Sequence, residues 1–181
     1  MTFSKLTELS NLITEKEAKR IEALKSLQIL NTPDERIFDN VTELLATILN
    51  VPISLISLVD EKRQWFKSKH GLEVSETPRE ISFCTHAIQS EDKKEFIVEN
   101  ATNDDMFKDN PLVTGSPKIR FYVGIPLAFN NYLIGTLCAI DDKPRKLSND
   151  ELKIVKLLAE QLEIILSLRM KAIELSVNKS G

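Results

Sequence analysis

The chain has 181 residues, of which 42% are hydrophobic and 28% charged, and its formal net charge is −3 at pH 7. This length suits one domain with one substantial core, and a slight acidic excess without a basic stripe disfavours nucleic acid as a partner. No segment approaches the ~20 apolar residues of a membrane-spanning helix, and the amino terminus lacks the apolar run of a signal peptide, so we expect a cytoplasmic protein that does not bind a membrane.

The cysteine and histidine content argues against a metal site. The chain has 2 cysteines and 2 histidines, and no CxxC or HxxxH spacing joins them. Such spacing is the usual signature of structural zinc. A structural disulfide is also disfavoured in a reducing compartment.

Two helices are predicted at the start of the chain. The Thr14–Glu17 segment fits a capping box and predicts a helix from about Glu15 to Leu30, which leaves residues 1–13 as an N-terminal extension. The Thr32–Glu35 segment predicts a second helix start, with Thr32 as the N-cap and proline in the first turn. Its expected buried stripe consists of Ile37, Val41, Leu44, Leu45 and Ile48.

Short strands and loops follow these helices. An apolar run over 52–59 predicts a strand, and residues 64–68 are its expected hairpin partner. The region 70–81 is polar and irregular, after which Ser82 is expected to cap a short helix, Phe83–Gln89. Phe96–Asn100 is another predicted strand, and a long connection with one helical turn covers 101–117.

The segment Ile119–Asp141 predicts a buried hairpin. Apolar and other residues alternate from Ile119 to Leu127, the period of a strand with one face toward a core. The Asn130–Asn131 pair suits a type I′ turn, because asparagine tolerates positive φ. Leu133–Ile140 is apolar on both faces, so we expect a central strand that is covered on both sides.

The last predicted helix has an unusually wide apolar surface. Ser148–Glu151 is a further capping box, and the helix is expected to continue to about Leu175. Its apolar side chains cover an arc of about 240° on a helical wheel, which is more than one sheet contact requires. We therefore expect a homodimer that forms through the terminal helices.

The order of these elements, together with several short motifs, resembles a GAF domain of the kind found upstream of histidine kinases and diguanylate cyclases in bacterial signalling proteins. The resemblance covers roughly Glu17 to Arg169. The motifs that carry it are LNTPDERIFD (30–39), ISLVD (56–60), RQWFKS (63–68), ETPRE (76–80), SFCTHAI (82–88), NPLV (110–113), IRFYVGIPL (119–127) and GTLCAID (135–141).

The resemblance implies an α+β fold. Its central antiparallel sheet has five or six strands, with N- and C-terminal helices on one face, and with loops and a short helix on the other enclosing a pocket. The domain with its flanking helices would span 14–177, followed by a tail at 178–181. Family members bind cyclic nucleotides, bilins, haem or small metabolites, so the resemblance leaves the cofactor unknown.

Two chemistries known in the family fit this sequence poorly. Bilin-binding members join the chromophore to a cysteine that is directly followed by histidine, whereas Thr85 separates Cys84 from His86. The members that reduce free methionine sulfoxide use several loop cysteines, whereas Cys138 is expected on a strand.

Nine residues are candidates for ligand binding. Arg120 and Arg79 carry guanidinium groups suited to a carboxylate or phosphate, although a salt bridge to loop acids is an alternative for Arg120. Cys84 lies at a predicted helix start, where the helix dipole favours a thiolate; the simpler interpretation is a small buried side chain. The full set is Arg79, Phe83, Cys84, His86, Asp104, Phe107, Arg120, Tyr122 and Thr136.

The sequence favours a stand-alone, non-catalytic sensor that binds a small molecule and signals through the terminal helices of a dimer, with no catalytic residues. Two alternatives stay open. One is a cysteine-based redox enzyme or redox sensor similar to the methionine sulfoxide reductases. The other is a structural dimerisation module whose pocket is filled by side chains.

Overall fold

A computed structural model describes residues 3–89 and 94–179, and within these ranges the chain forms an α+β domain with one six-stranded sheet. In chain order the elements are α1 (Phe3–Ser26), α2 (Arg36–Leu49), β1 (Ile53–Val59), β2 (Arg63–His70), β3 (Glu76–Pro78), α3 (Phe83–Ala87), β4 (Phe96–Val98), α4 (Pro111–Thr114), β5 (Phe121–Phe129), β6 (Tyr132–Asp141) and α5 (Asn149–Asn178).

The sheet is antiparallel throughout, with the strand order β3-β2-β1-β6-β5-β4. This confirms the predicted sheet of five or six strands. β1 and β6 are its central strands, and both are covered on their two faces, as expected for β6. In their register Ser57 lies opposite Thr136, and Leu58 lies opposite Gly135.

The two faces of the sheet belong to two separate cores. The helix-side core joins residues of α1, α2 and α5 to one face. The second core joins α3, α4 and the nearby loops to the other face. The predicted placement of the terminal helices on one face is therefore confirmed, and the opposite face is covered by α3, α4 and loops.

The predicted hairpin is confirmed in detail. Asn130 and Asn131 have φ values of 48° and 65°, the pair of positive angles that a type I′ turn requires. From Phe121 onward the alternation follows the sequence pattern, and Phe121 and Val123 enter the helix-side core while Tyr122 faces the other way. Ile119 is an exception, because it precedes the strand and packs on the loop-covered side.

Two of the four predicted helix caps are present. Ser148 and Glu151 form the reciprocal capping box at the start of α5. Ser82 accepts a hydrogen bond from the Thr85 amide at the start of α3. Both caps satisfy backbone donors with side chains only three residues away, so local sequence is enough to identify them.

The predicted cap at Thr14 is wrong. α1 runs without a break from Phe3 to Ser26, so Thr14 lies inside the helix and most of the 1–13 segment is helical. Residues 3–13 contain neither glycine nor proline, so nothing in them stops helix propagation. Glu17 does not cap the helix and pairs with Arg20 and Arg79.

The predicted start of α2 is also wrong, and its predicted buried face is only partly right. The helix starts at Arg36, and its N-cap residue Glu35 makes no side-chain cap. Its buried face is rotated from the expected stripe, which leaves Ile37, Leu44 and Ile48 exposed. Leu45 is buried as predicted and Val41 is half-buried against the core, and the residues that are buried beside them are Phe38, Thr42, Ala46 and Leu49. The polar Thr42 is tolerated there because it hydrogen-bonds Ser68 on β2.

A buried lysine explains why Thr32 does not cap α2. The Lys67 side chain on β2 is fully buried, and its ammonium donates to Thr32 Oγ1 at 2.9 Å and to Pro33 O at 2.7 Å. Its third partner is Glu35 Oε1 at 2.7 Å. Glu35 also binds Arg169 of α5 at 3.0 Å, so this carboxylate links the sheet to the C-terminal helix.

The outer face of α5 is apolar. Its inner face buries Val155, Ala159, Leu162 and Leu166, and the exposed side chains Leu157, Ile164, Leu168 and Leu175 follow the opposite face. At about 100° per residue this outer stripe lies about 180° from the buried one. Across 3–89 and 94–179, no helix combines the length and the apolar composition needed to cross a membrane.

Replacing Glu35 with glutamine is predicted to lower the free energy of unfolding by about 2 kcal/mol, measured by urea denaturation. The change leaves the buried Lys67 ammonium without its counterion, and the partial exposure of Glu35 keeps the loss below the 3–5 kcal/mol typical of fully buried pairs. The matched control is Glu43→Gln, an exposed position of the same helix. Equal stability of the two variants would contradict the prediction.

Candidate functional site

A cavity of about 350 Å³ lies between the sheet and its covering loops. β1, β2, β6 and the segment leading into β5 form its floor, and α3, α4 and the 72–78 segment form its other walls. Its volume falls in the range of small-molecule sites. The apolar side chains that line it are Ile53, Leu55, Phe66, Leu72, Val74, Phe83, Leu112, Ile119 and Ile140.

Few polar groups face this cavity. Gln64 is one, and its amide is already engaged, accepting a hydrogen bond from Ser82 Oγ and donating to Thr77 Oγ1 at 3.3 Å. Glu76 is another, and its carboxylate pairs with Arg63. Among the described lining residues there is no lysine or arginine. The cavity therefore suits an uncharged, mostly apolar molecule better than an anion.

Cys84 lies at the cavity wall with its sulfur surrounded by hydrogen-bond donors. The hydroxyl of Thr136 donates to Cys84 Sγ at 3.0 Å, and the hydroxyl of Tyr122 donates at 3.2 Å. α3 places Cys84 in its first turn, two residues after the Ser82 cap, and β5 and β6 place the two hydroxyls next to it. All three side chains are buried.

A second thiol completes these surroundings. Cys138 on β6 is fully buried, and its Sγ lies 3.9 Å from Cys84 Sγ. The buried Ser57 hydroxyl has no hydrogen bond of normal geometry to any described residue, and it lies close enough to Cys84 to favour a negative charge there. We name these five residues, Cys84, Cys138, Ser57, Thr136 and Tyr122, the thiol cluster.

The pKa values of the two thiols are shifted in opposite directions. Burial raises the pKa of Cys84, but the hydrogen bonds from Cys138, Thr136 and Tyr122, together with the nearby Ser57 hydroxyl, outweigh burial and bring it below its ordinary value. The hydrogen bond to Cys84 and burial hold the pKa of Cys138 well above its ordinary value. Burial and the charge on Cys84 raise the pKa of Tyr122, so its hydroxyl stays a donor.

Gly124 makes room for the Tyr122 side chain. A Cβ atom at this position would lie 2.2 Å from the Tyr122 hydroxyl and 2.8 Å from its ring. The Tyr122 ring therefore lies over Gly124, which is two residues further along the same strand. This position brings the Tyr122 hydroxyl to Cys84. The spacing Tyr122-Val123-Gly124 is a local sequence signal for this arrangement.

An aromatic cluster adjoins the cavity. Phe83 stacks on Phe107 with ring centroids 3.9 Å apart, and Tyr122 lies 5.2 Å from Phe83. His86 meets the edge of Phe107 at 5.1 Å and lies near Phe96, outside the cavity lining. Burial lowers the pKa of His86, and the charge of Asp104 only partly offsets this effect. We infer that His86 and Phe107 support Phe83.

The two candidate arginines lie outside the cavity lining and bind protein groups. Arg79 binds Glu17 of α1 at 2.6 Å and the Asp60 carbonyl at 3.2 Å. Arg120 donates to the carbonyls of Val113 and Ile119 and so fastens α4 to the sheet; it makes no ion pair in the described part of the chain. Asp104 caps a turn through the Met106 amide.

The structure thus brings together four of the nine candidates, since Phe83, Cys84 and Tyr122 line the cavity and Thr136 lies behind Cys84. Whether any of the nine binds a ligand stays a prediction. The candidate set omits the apolar walls, Ser57 and Cys138. The one sequence signal for the last two is a small polar side chain or thiol within an otherwise apolar central strand.

Sequence and structure comparisons agree on a family. The family model described as GAF domain matches residues 34–166. A cyclic di-GMP phosphodiesterase of Pseudomonas aeruginosa is 42% identical over 132 residues, which are 72% of this chain and 22% of that protein. The chain thus spans about a fifth of the length of this curated relative.

Solved structures share the fold. The GAF domain of an Acinetobacter phosphoenolpyruvate-protein phosphotransferase aligns with a TM-score of 0.62 at 18% identity, over 87% of this chain and 93% of that one. The free methionine-R-sulfoxide reductase of Neisseria meningitidis, solved with its substrate, gives 0.61 at 18% identity, with the same coverage of 87% and 93%. At such identity the likeness shows the fold alone.

These comparisons confirm the resemblance that the sequence motifs carry. The family model covers most of the chain, from the segment before α2 to the middle of α5. The chain therefore belongs to the GAF domain family.

Proposed function

We propose that this GAF domain is a non-catalytic sensor, in which a small, uncharged and mostly apolar molecule occupies the cavity and shifts the terminal helices of a dimer. The observation that carries the proposal is the cavity of about 350 Å³ with apolar walls. A degenerate module with a side-chain-filled pocket would lack this volume. The phosphodiesterase activity in the name of the Pseudomonas relative belongs to that much longer protein.

The cavity chemistry supports a neutral ligand. A phosphate or carboxylate needs a cation or several free donors, and the nearby Arg79 and Arg120 are already engaged with protein oxygens. Burial of an unpaired anion against aliphatic side chains costs several kcal/mol, on the order of the desolvation penalty of one ion. We therefore expect the proposed ligand to bind without an ion pair to Arg79 or Arg120.

A direct path joins the cavity wall to α1. Pro78 lines the cavity, and the next residue, Arg79, binds Glu17 at 2.6 Å. Glu17 also binds Arg20, which is buried and donates to the Val59 carbonyl at the end of β1. A ligand that displaces the 72–78 wall would therefore move an ion pair on the N-terminal helix.

The outer stripe of α5 supports the dimer. Leu157, Ile164 and Leu168 are 48%, 52% and 58% exposed, and they repeat at spacings of seven and four residues. That spacing is typical of a helix that packs against a second helix. An isologous contact between two copies would bury this stripe and place both α5 helices side by side.

A neutral apolar ligand is predicted to raise the melting temperature. At a concentration 100-fold above Kd, stabilisation is about 2.7 kcal/mol, or about 5–10 °C for a domain of this size. The measurement is a thermal-shift screen that compares neutral aromatic alcohols and esters with nucleotides, amino acids and carboxylates. Stabilisation by the charged compounds alone, or by none, would contradict the proposal.

A cavity-filling variant tests the location of that ligand. Leu72→Trp adds volume at the half-buried edge of the cavity and is expected to abolish the ligand-induced shift. The matched control is Met106→Trp, at a loop position that is 60% exposed and outside the lining. An unchanged shift in Leu72→Trp would place the ligand elsewhere.

The link through Glu17 is predicted to depend on pH. Burial raises the pKa of Glu17, but the hydrogen bonds and charges of Arg20 and Arg79 outweigh burial and lower it to about 2 from 4.5. The stabilisation is therefore complete above pH 4.5 and is lost as the pH falls toward 2. Glu17→Gln should lower the melting temperature by about 1–3 °C at pH 6 and by less as the pH falls through this window.

The control for this measurement is Glu22→Gln, an exposed position of α1. It should show no comparable pH-dependent difference. If the deficit of Glu17→Gln were the same at pH 6 and pH 2.5, the carboxylate would not be the stabilising group.

The double variant Ile164→Glu with Leu168→Glu is predicted to halve the mass measured by sedimentation velocity, because two charges would enter the helix-helix contact. Met106→Glu, at a loop position that is 60% exposed and lies outside α5, is the control and should leave the mass unchanged. A wild-type chain that stays monomeric at high concentration would count against the dimer.

A further inference from the structure

The thiol cluster goes beyond what a passive binding wall requires. It places two thiols and three hydroxyls within one buried site, on elements that otherwise present apolar side chains. Burying these polar groups costs free energy unless they are paired. Two of them, the Thr136 and Tyr122 hydroxyls, donate to one sulfur, which is the arrangement expected around a thiolate.

The two sulfurs are close enough to react with each other. Cys84 Sγ and Cys138 Sγ are 3.9 Å apart, and a disulfide bond of about 2.05 Å requires them to approach by roughly 2 Å. Rotation about a cysteine side-chain torsion moves a sulfur by that much. Cys84 lies on the short α3 and Cys138 on central β6, so α3 is the element that would adjust.

The cluster assigns the two thiols different roles. The Thr136 and Tyr122 hydroxyls both donate to Cys84 Sγ, which favours a thiolate there. Cys138 keeps its proton, since burial and the neighbouring sulfur oppose a second negative charge. Cys84 also contacts the cavity, whereas Cys138 is not among its lining residues. Cys84 is thus the attacking sulfur and Cys138 the resolving sulfur.

We propose that Cys84 and Cys138 form a reversible dithiol-disulfide pair that is oxidised by an organic hydroperoxide entering through the apolar cavity. This deepens the proposed function and rests on it, because it needs a cavity that admits a small molecule. The apolar walls next to Cys84 favour a hydroperoxide with an apolar body over hydrogen peroxide. The hydroperoxide group would meet the thiolate at the part of the cavity wall that Cys84 forms.

The reaction balances in two steps. The Cys84 thiolate attacks the terminal peroxide oxygen, an S–O bond forms, the O–O bond breaks, and the alkoxide leaves as an alcohol with the proton that the thiol lost. Cys138 then attacks Cys84, the S–S bond forms, the S–O bond breaks, and the hydroxide leaves as water with the Cys138 proton. The two thiols lose two electrons in total, and the hydroperoxide is reduced to alcohol and water.

Oxidation would change the cavity wall. A bond between Cys84 and Cys138 draws α3 toward β6. It also moves the Cys84 sulfur away from the Tyr122 and Thr136 hydroxyls, which donate to it in the reduced chain. Phe83, the residue before Cys84, both lines the cavity and stacks on Phe107. The state of the thiol pair would therefore set the shape of the ligand site.

The test treats the full chain with equimolar cumene hydroperoxide or hydrogen peroxide at pH 7, followed by denaturation, alkylation of remaining thiols and intact mass measurement. The expected product has lost 2 Da, resists alkylation at both cysteines and is restored by dithiothreitol. We expect oxidation by cumene hydroperoxide to be at least ~10-fold faster than by hydrogen peroxide. Full alkylation of both cysteines after treatment would overturn the proposal, and so would disulfides between chains on a non-reducing gel.

Four variants locate the roles. Cys138→Ser should stop at a sulfenic acid on Cys84, a gain of 16 Da that dimedone traps. Tyr122→Phe should slow the oxidation of Cys84 roughly 10-fold while the disulfide remains the end product. Thr85→Ser, beside Cys84 but outside the cluster, is the control and should react at the wild-type rate. Oxidation of the remaining Cys138 thiol at the wild-type rate in Cys84→Ser would overturn the assignment of Cys84 as the attacking sulfur.

The failure of this proposal can be distinguished from failure of the sensor function. Cumyl alcohol, the product of cumene hydroperoxide, should raise the melting temperature of the reduced chain if the cavity admits such molecules. If cumyl alcohol raises the melting temperature but the hydroperoxide oxidises neither cysteine, only the thiol proposal is overturned. No stabilisation by any neutral compound, together with inert thiols, would overturn both.

Discussion

The close approach of β1 and β6 is the constraint on which both faces of the molecule depend. At Gly135 a Cβ atom would lie 2.0 Å from the Ser57 carbonyl, so the two central strands meet at their observed register only because this residue has no side chain. The register sets Ser57 opposite Thr136 and brings both beside Cys84, while neighbouring residues of the same strands enter the helix-side core. One backbone contact therefore fixes the floor of the cavity and the packing surface of the helices, and a shift by one residue would exchange the two faces.

Charged groups at the sheet margins connect elements that lie far apart in the sequence. On the helix side, Lys67 and Arg169 share the Glu35 carboxylate, which ties β2 to α5. On the cavity side, Arg79 follows the lining residue Pro78 and reaches across to Glu17 of α1. Each link costs desolvation free energy and gains it back only when all partners are present. Such links transmit a displacement between elements that otherwise meet through aliphatic contacts, which slide more easily than ion pairs.

Local chemistry explains which features the sequence predicted well. The Asn130–Asn131 turn, the Ser82 cap and the Ser148–Glu151 capping box depend on residues a few positions apart, and each was predicted correctly. Thr32 carries the same local signal for a cap, but it binds Lys67, a residue 35 positions away that no local pattern reveals. The expected buried stripe of α2 omits Thr42 because its side chain is polar. In the structure Thr42 is buried because it hydrogen-bonds Ser68 on β2, a partner that the sequence around Thr42 does not indicate. The cavity shows the same limit, because the direction of Arg79 is set by Glu17, which lies 62 positions away in the sequence.

The anchoring of α5 by Arg169 has a mechanical consequence. This guanidinium binds the carbonyls of Leu27 and Gln28 as well as Glu35, and Met170 is the last residue of the helix packed on the helix-side core. The helix continues to Asn178, which at 1.5 Å per residue is an overhang of about 13 Å past Arg169. A tilt of α5 by about 5° about Arg169 therefore displaces the C-terminal end of the helix by about 1 Å. A small displacement of the sheet would in this way produce a measurable displacement of the C-terminal end of α5.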